Sequence, residues 1–414
     1  MKKPFYGGWI VAACFLTFGI STGFPYYNIF FFFDYFRDHH GWPMSLITLG
    51  APVAVLLTIW VGPVIVPKVS PRLLIIIGTG MTFLSFQWFS RLSGATWEYF
   101  AAWALYMIGY FLSGPIPHQI IISNWYKAKR GRAMGIAYVG VAVVGAAGAR
   151  YGAPYLISDW HMHYTKALQC MSFLFLLAWP IAFFVIKDKP EDIGQLPDGA
   201  LQPASAAPVV KEATKSFGFL LRQKPFWLLL IGSAASIGAI AAVNIHMKLV
   251  FESQGYVTQT ARNQIWSTAT QCVLLSGIAG RLLAGYLADK FPKKYVMLVT
   301  YLVVALAIPT LFLVTPAQGN YVYLFAIVFG FAMGADYMLI PLMAADQFGL
   351  ATLAVAMSAI LPTDTISQFW FPNLIARVKD FTGSYETAML TVFAVAFIGA
   401  LAIGFLPKHG ARKE

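Results

Sequence analysis

Long apolar runs, each ended by a proline, a glycine or a cluster of charge, follow one another along the whole chain. A bilayer-spanning helix needs about 20 mostly apolar residues. Runs of that kind lie at residues 8–33, 44–66, 73–92, 97–125, 133–157, 165–186, 225–251, 262–288, 295–315, 320–345, 353–377 and 384–406. The pattern predicts an all-α membrane protein with twelve transmembrane helices. The longest polar interruption, about Lys187 to Lys224, contains the low-complexity run Leu-Gln-Pro-Ala-Ser-Ala-Ala-Pro and reads as a flexible linker. The expected organisation is a six-helix bundle at 1–186, a cytoplasmic linker at 187–224 and a second six-helix bundle at 225–414.

Composition agrees with the pattern. With 58% hydrophobic and 11% charged residues, the chain is more apolar than a soluble globule, whose apolar share runs at about 45–50%. The net charge of +12 would suit nucleic acid, but its placement argues otherwise. Twenty of the 29 Lys and Arg fall on the segments that share a side with the N-terminus, and six on the other side. That asymmetry is the positive-inside rule and places both termini in the cytoplasm. Met-Lys-Lys opens an apolar run that continues to Phe33 without a clear cleavage site, so it reads as an uncleaved first helix. Cys14, Cys170 and Cys272 fall within predicted helices and form no Cys-x-x-Cys, which implies neither disulfide nor metal. Trp160-His161-Met-His163 offers only two ligands, and no metal or cofactor is expected.

Several motifs stand between the runs. After the eighth lies Arg281-Leu-Leu-Ala-Gly-Tyr-Leu-Ala-Asp289-Lys290-Phe-Pro-Lys293-Lys294, an arginine in an apolar stretch that leads into a charged hairpin. A degraded copy, Gly62 to Arg72, follows the second run and has lost the acid. A third basic loop, Asn124-Trp-Tyr-Lys-Ala-Lys-Arg-Gly-Arg132, leads into a helix carrying Gly135, Gly140, Gly145 and Gly148. No strand precedes those glycines, so close helix packing accounts for them better than a nucleotide loop.

The sequence Gly-x-Leu-Ala-Asp-Lys-x-x-x-Lys after helix eight resembles the inter-helix signature of the major facilitator superfamily, and the 6+6 plan extends that likeness over the chain. Gly7-Gly8-Trp9, Trp125-Tyr126 with the following Lys-Arg-Gly-Arg-Ala-Met-Gly, and Arg281-x-x-x-Gly285 together resemble the monocarboxylate transporter group and its relative, the oxalate:formate antiporter. The resemblance implies that Arg281 contacts an anionic substrate and that the loop of Asp289, Lys290, Lys293 and Lys294, with Arg130 and Arg132, takes part in gating. In monocarboxylate transporters an aspartate one turn before the arginine serves proton coupling. Here that position is Gly277, so the role does not carry over.

Charge inside hydrocarbon costs about 2.5–3.5 kcal/mol on insertion scales, which makes each intramembrane ionisable group a functional hypothesis. At about 1.5 Å per helical residue, Arg281 and His118 lie about 12 Å, Asp336 about 15 Å and Asp364 about 17 Å from their helix ends. All four therefore cluster near the midplane, where transporters hold substrate and coupling ions. Arg281 suits a carboxylate, because its planar fork binds one bidentately. Its alternative reading is neutralisation of an acid across the bundle. Asp336 and Asp364 are the candidates for proton coupling, with a static salt bridge to Arg281 as the alternative for each. His118, His246, Asn244, Tyr27 and Tyr337 are candidate substrate contacts, or else packing and interface residues.

The expected function is secondary active transport of small monocarboxylates, lactate- or pyruvate-like, by proton-coupled symport with alternating access. An organic-anion exchanger or a non-transporting nutrient sensor is the alternative. No triplet of nucleophile, histidine and acid appears, so no enzyme is expected. The expected partners are a small carboxylate, protons and the lipid bilayer, with no nucleic acid. The protein is expected to act as a monomer, multi-pass in a bacterial inner (cell) membrane.

Overall fold

The computed structural model describes residues 5–58, 61, 65, 68–126, 130–199 and 216–407, and these contain helices and no strand. The first half holds α1 (Gly7–His40), α2 (Met44–Thr58), α3 (Pro71–Phe89), α4 (Thr96–Ser113), α5 (Pro115–Trp125), α6 (Arg130–Tyr151) and α7 (Tyr164–Val185). The second half holds α8 (Lys224–Ser253), α9 (Gln259–Lys290), α10 (Lys293–Leu313), α11 (Tyr321–Phe348), α12 (Leu350–Thr382) and α13 (Tyr385–Gly404). Nine helices among the described residues are long and apolar enough to cross a membrane, so the chain is a multi-pass integral membrane protein. Its contacts divide it into two compact units, Met1–Trp42 with Gly50–Ala207 and Pro43–Leu49 with Pro208–Glu414.

Two local features depart from the hydrophobic pattern. The run expected to form one helix over 97–125 is broken at Gly114, whose backbone (φ −84°, ψ −138°) is not helical. Pro115 causes the break: it lacks an N–H and disfavours the helical conformation in the residue before it, yet suits the first position of a new helix. The first run extends past Phe33 to His40 and is closed by Gly41 at φ 68°, whose N–H bonds the Arg37 carbonyl at 2.8 Å.

In the first unit α6 lies flush against α1. A methyl at Gly140 would overlap the Phe15 carbonyl, and one at Gly148 would meet Phe24 and Asn28, whereas Gly135 faces open space. The start of the expected flexible linker is built onto this unit. Trp125 Nε1 donates to the Lys187 carbonyl (2.8 Å) and Asn124 Nδ2 to the Asp188 carbonyl (3.0 Å). Asp188 Oδ1 accepts from Arg72 N (2.9 Å) at the start of α3, and the Tyr6 N–H donates to Gln195 Oε1 (3.0 Å). Lys187–Gly199 is thus a cap tying the first helix to the ends of α3 and α5; residues 200–215 lie outside the described residues. Gly7 belongs to the same contact, because a side chain there would run into Phe5 and lie 2.8 Å from Tyr126 Oη.

In the second unit α9 and α11 meet backbone to backbone. A methyl at Gly280 would overlap the Phe331 carbonyl, one at Gly334 would overlap that of Gly277, and one at Gly330 that of Val273. Small residues spaced three and four apart are what allow such an approach between helices in a bilayer. Around this seam α8, α10, α12 and α13 close a core that includes Phe226, Leu339, Met343, Ile360 and Ile403. We expect Gly280→Ala to lower stability by about 1–3 kcal/mol, as overpacking does, while Gly135→Ala leaves it unchanged or slightly higher. Thermal unfolding of the two purified variants in detergent checks the contrast.

Candidate functional site

Four helices of the second unit bring polar side chains into its interior. Asp336 on α11 and Asp364 on α12 are 0% and 1% exposed. Ser236 Oγ donates to Asp336 Oδ2 at 2.6 Å, and Ser233 Oγ to Asp364 Oδ1 at 2.7 Å. Both serines belong to α8, three residues apart, a spacing that places them on one face with about 5–6 Å between their Cβ atoms. The two carboxylates therefore lie side by side along one turn of α8. The hydroxyl of Tyr301 on α10, also buried, lies beside both acids. Among the described residues Asp336 Oδ1, Asp364 Oδ2 and Tyr301 Oη have no partner in hydrogen-bond geometry.

No ion pair joins either aspartate to a cation among the described residues. The salt bridge to Arg281, held open from the sequence, is not formed. Arg281 on α9 is half-buried, and its Nε donates to the Gly334 carbonyl at 3.4 Å, across the glycine seam. Two ionised carboxylates held at neighbouring positions of one helix face would repel each other. A buried charge without an opposite charge adds a desolvation cost. The site thus favours a single negative charge or none until a cation reaches it.

The other expected contacts are placed differently. Asn244 and His246 lie further along α8. Asn244 Nδ2 turns back to the Ile240 carbonyl (2.8 Å). His246 is fully buried, its Nε2–H donating to the Pro372 carbonyl on α12 (2.9 Å), and its ring lies 5.8 Å from that of Tyr385. Tyr337 is 46% exposed. In the first unit His118 is buried and both its nitrogens are engaged, Nδ1 with the Gly114 carbonyl (2.7 Å) and Nε2 with Thr17 Oγ1 (2.9 Å). The break at Gly114 frees the carbonyl that His118 takes. Phe18 stacks on the His118 ring at 4.8 Å, and Tyr27 packs edge-on against Tyr26 at 5.1 Å.

Of the charged loop, Lys293 Nζ pairs with Asp346 Oδ1 at 3.1 Å and joins the start of α10 to the end of α11. Lys290 bonds the Tyr286 hydroxyl and lies over its ring, and Lys294 lies 5.8 Å over the Tyr295 ring. Arg132 is exposed. The side chains of Asp289 and Arg130 lie outside the described residues. Sequence reasoning missed Ser233, Ser236 and Tyr301. The readable signal was Ser-x-x-Ser in an otherwise apolar helix, the spacing of one face.

Membrane-spanning helices with ionisable groups buried among them are the architecture of a helical membrane transporter. A family model described as Major Facilitator Superfamily matches residues 116–372, and the chain belongs to that superfamily. Its fold is similar to that of a solved bacterial homolog of the human lysosomal transporter Spinster, in an inward-facing and unoccupied conformation. That match has a TM-score of 0.64 at 12% identity and covers 98% of this chain and 95% of that one. No curated protein matches the chain.

Each serine donates a short hydrogen bond to its acid. We expect Ser236→Ala and Ser233→Ala each to cost about 1–3 kcal/mol in thermal unfolding, the effect of leaving a buried acceptor unsatisfied. Thr391→Ala, which removes only an exposed bond to its own helix, is expected to change little.

Proposed function

We propose that this chain is a secondary transporter of small monocarboxylates, lactate- or pyruvate-like, that moves its substrate together with a proton. Arg281 anchors the carboxylate, and Asp336 with Asp364 takes up the proton. The observation that carries this reading is the pair of aspartates, both buried, each held by a serine and neither balanced by a cation among the described residues. Such a pair is costly when both members are ionised and relieved when one is protonated. A group whose burial depends on a proton is what coupling requires, provided that water reaches it in another conformation. Arg281 forms no ion pair with either acid among the described residues, and it stays charged at any working pH.

The likeness of Gly7-Gly8-Trp9, the Trp125-Tyr126 loop and Arg281-x-x-x-Gly285 to monocarboxylate transporters supports the substrate class. The basic loops support twelve crossings with both termini in the cytoplasm. On this reading the protein is a monomer in a bacterial inner membrane that works by alternating access, and Lys293 with Asp346 forms part of its gate. The alternative of an organic-anion exchanger of the oxalate:formate type is weaker, because an acid at Asp364 repels a second carboxylate.

Uptake of a labelled monocarboxylate panel by proteoliposomes with an imposed pH gradient tests the reading. We expect accumulation when the outside is acidic, and the proposal is lost if no monocarboxylate moves. Arg281→Lys keeps the charge but loses the fork, and is expected to raise KM about tenfold, a loss of about 1.4 kcal/mol. Asp336→Asn and Asp364→Asn are expected to abolish gradient-driven uptake while substrate counterflow persists. Gradient-driven uptake retained in both would remove the proton role from these acids.

A further inference from the structure

The outer surface of the second unit carries a groove that the transport reading does not use. It encloses ≈ 290 Å³ between α9, α10 and α11, lined by Ala284, Pro292, Val299, Val303, Phe331 and Ala335 among others. Small residues make its floor: Ala284 and Ala335 are 4% and 2% exposed. Its outer wall is open, with Val299 on α10 58% exposed and Phe291, in the turn before α10, 56% exposed. Along α10 the lining runs from Pro292 to Val303, about 16 Å at 1.5 Å per residue. That length is half of a hydrocarbon layer about 30 Å thick, the depth of one leaflet.

Charge is concentrated at one end of the groove only. Phe291 and Pro292, which form that end, sit between Lys290 and Lys293-Lys294. Lys293 is held by Asp346, while Lys290 and Lys294 lie over the rings of Tyr286 and Tyr295 at the membrane-exposed rim, Tyr295 itself lining the groove. The start of α10 adds to this. Its N-cap, Pro292, offers no side-chain acceptor, so no side chain caps the first N–H groups of the helix. Uncapped helix N–H groups and lysine ammonium groups together favour a phosphate.

We propose that the groove binds one anionic phospholipid, an acyl chain lying between α10 and α11 and its phosphate held by Lys290, Lys294 and the start of α10. The match of an apolar slot one leaflet deep to a positive rim at one end fits this occupant, and a soluble anion would leave the slot empty. Thr300 and Ala335 line the groove and precede Tyr301 and Asp336 in sequence, so the acyl chain packs against the back of the buried acid cluster.

Native mass spectrometry of the full chain, released from nanodiscs with equal amounts of acyl-matched phosphatidylglycerol and phosphatidylcholine, reads the preference directly. With two lysines near the membrane surface, we expect one phosphatidylglycerol retained per chain in about thirtyfold excess. The double variant Lys290→Glu with Lys294→Glu is expected to lose that excess. Val299→Trp, which fills the slot and leaves the lysines, is expected to lower retention of the same lipid. Equal retention of the two lipids by the unaltered protein overturns the proposal whatever the variants do, and so does an unchanged excess in the double lysine variant or unchanged retention in Val299→Trp.

Discussion

Backbone contact between α9 and α11 is the constraint on which the second unit depends. Gly277 and Gly280 on one helix and Gly330 and Gly334 on the other let the two backbones meet directly. Arg281 follows Gly280 directly, and its side chain leaves at the edge of this contact to reach the Gly334 carbonyl. Asp336 stands two residues beyond Gly334, about 200° around the helix, and faces α8. The seam therefore places the arginine and the acid on opposite sides of α11. Their separation follows from helix geometry, and it explains why two opposite charges at similar depth do not pair.

The acid cluster follows from that separation. Facing away from the arginine, Asp336 meets α8, where Ser236 satisfies one oxygen and Ser233, on the same face, satisfies one of Asp364. A neutral hydroxyl offsets part of the desolvation of a carboxylate and none of its charge. Two acids treated in this way, with a buried phenol beside them, form a cluster whose energy depends strongly on whether a proton is present. A structural ion pair would have had the opposite property, since its charges balance in every state.

Much of the architecture was legible in the sequence because its cause is local. Lengths of apolar runs are set by the bilayer, and a signature loop identifies its superfamily without any tertiary knowledge. Gly114 was misread because composition does not separate an apolar helix from two helices meeting at a glycine before Pro115. Lys187–Gly199 was misread because its partners, Trp125 and Asn124, are far away in sequence. The acids were found, since charge in an apolar run is conspicuous, but their serines were not: a hydroxyl in a membrane helix has little signature of its own. Gly277 was noticed only as a missing aspartate. Its physical role, as half of a backbone contact, needed the partner helix to become visible.

That role bears on how coupling could work. The position one turn before the arginine, an aspartate in monocarboxylate transporters, is tight here, because the Gly330 carbonyl would lie 3.1 Å from a Cβ at 277. On the proposed reading the proton therefore binds on the far side of α11 from the substrate's anchor, and direct charge pairing cannot report one to the other. The helices themselves must carry the signal. Pro341 lies five residues after Asp336, and Pro362 two before Asp364. A proline inside a helix removes a hydrogen bond and gives it a place to bend. Each acid thus sits close to the weakest point of its own helix, where a change in charge against α8 is most readily converted into a change of shape at Gly334 and Arg281.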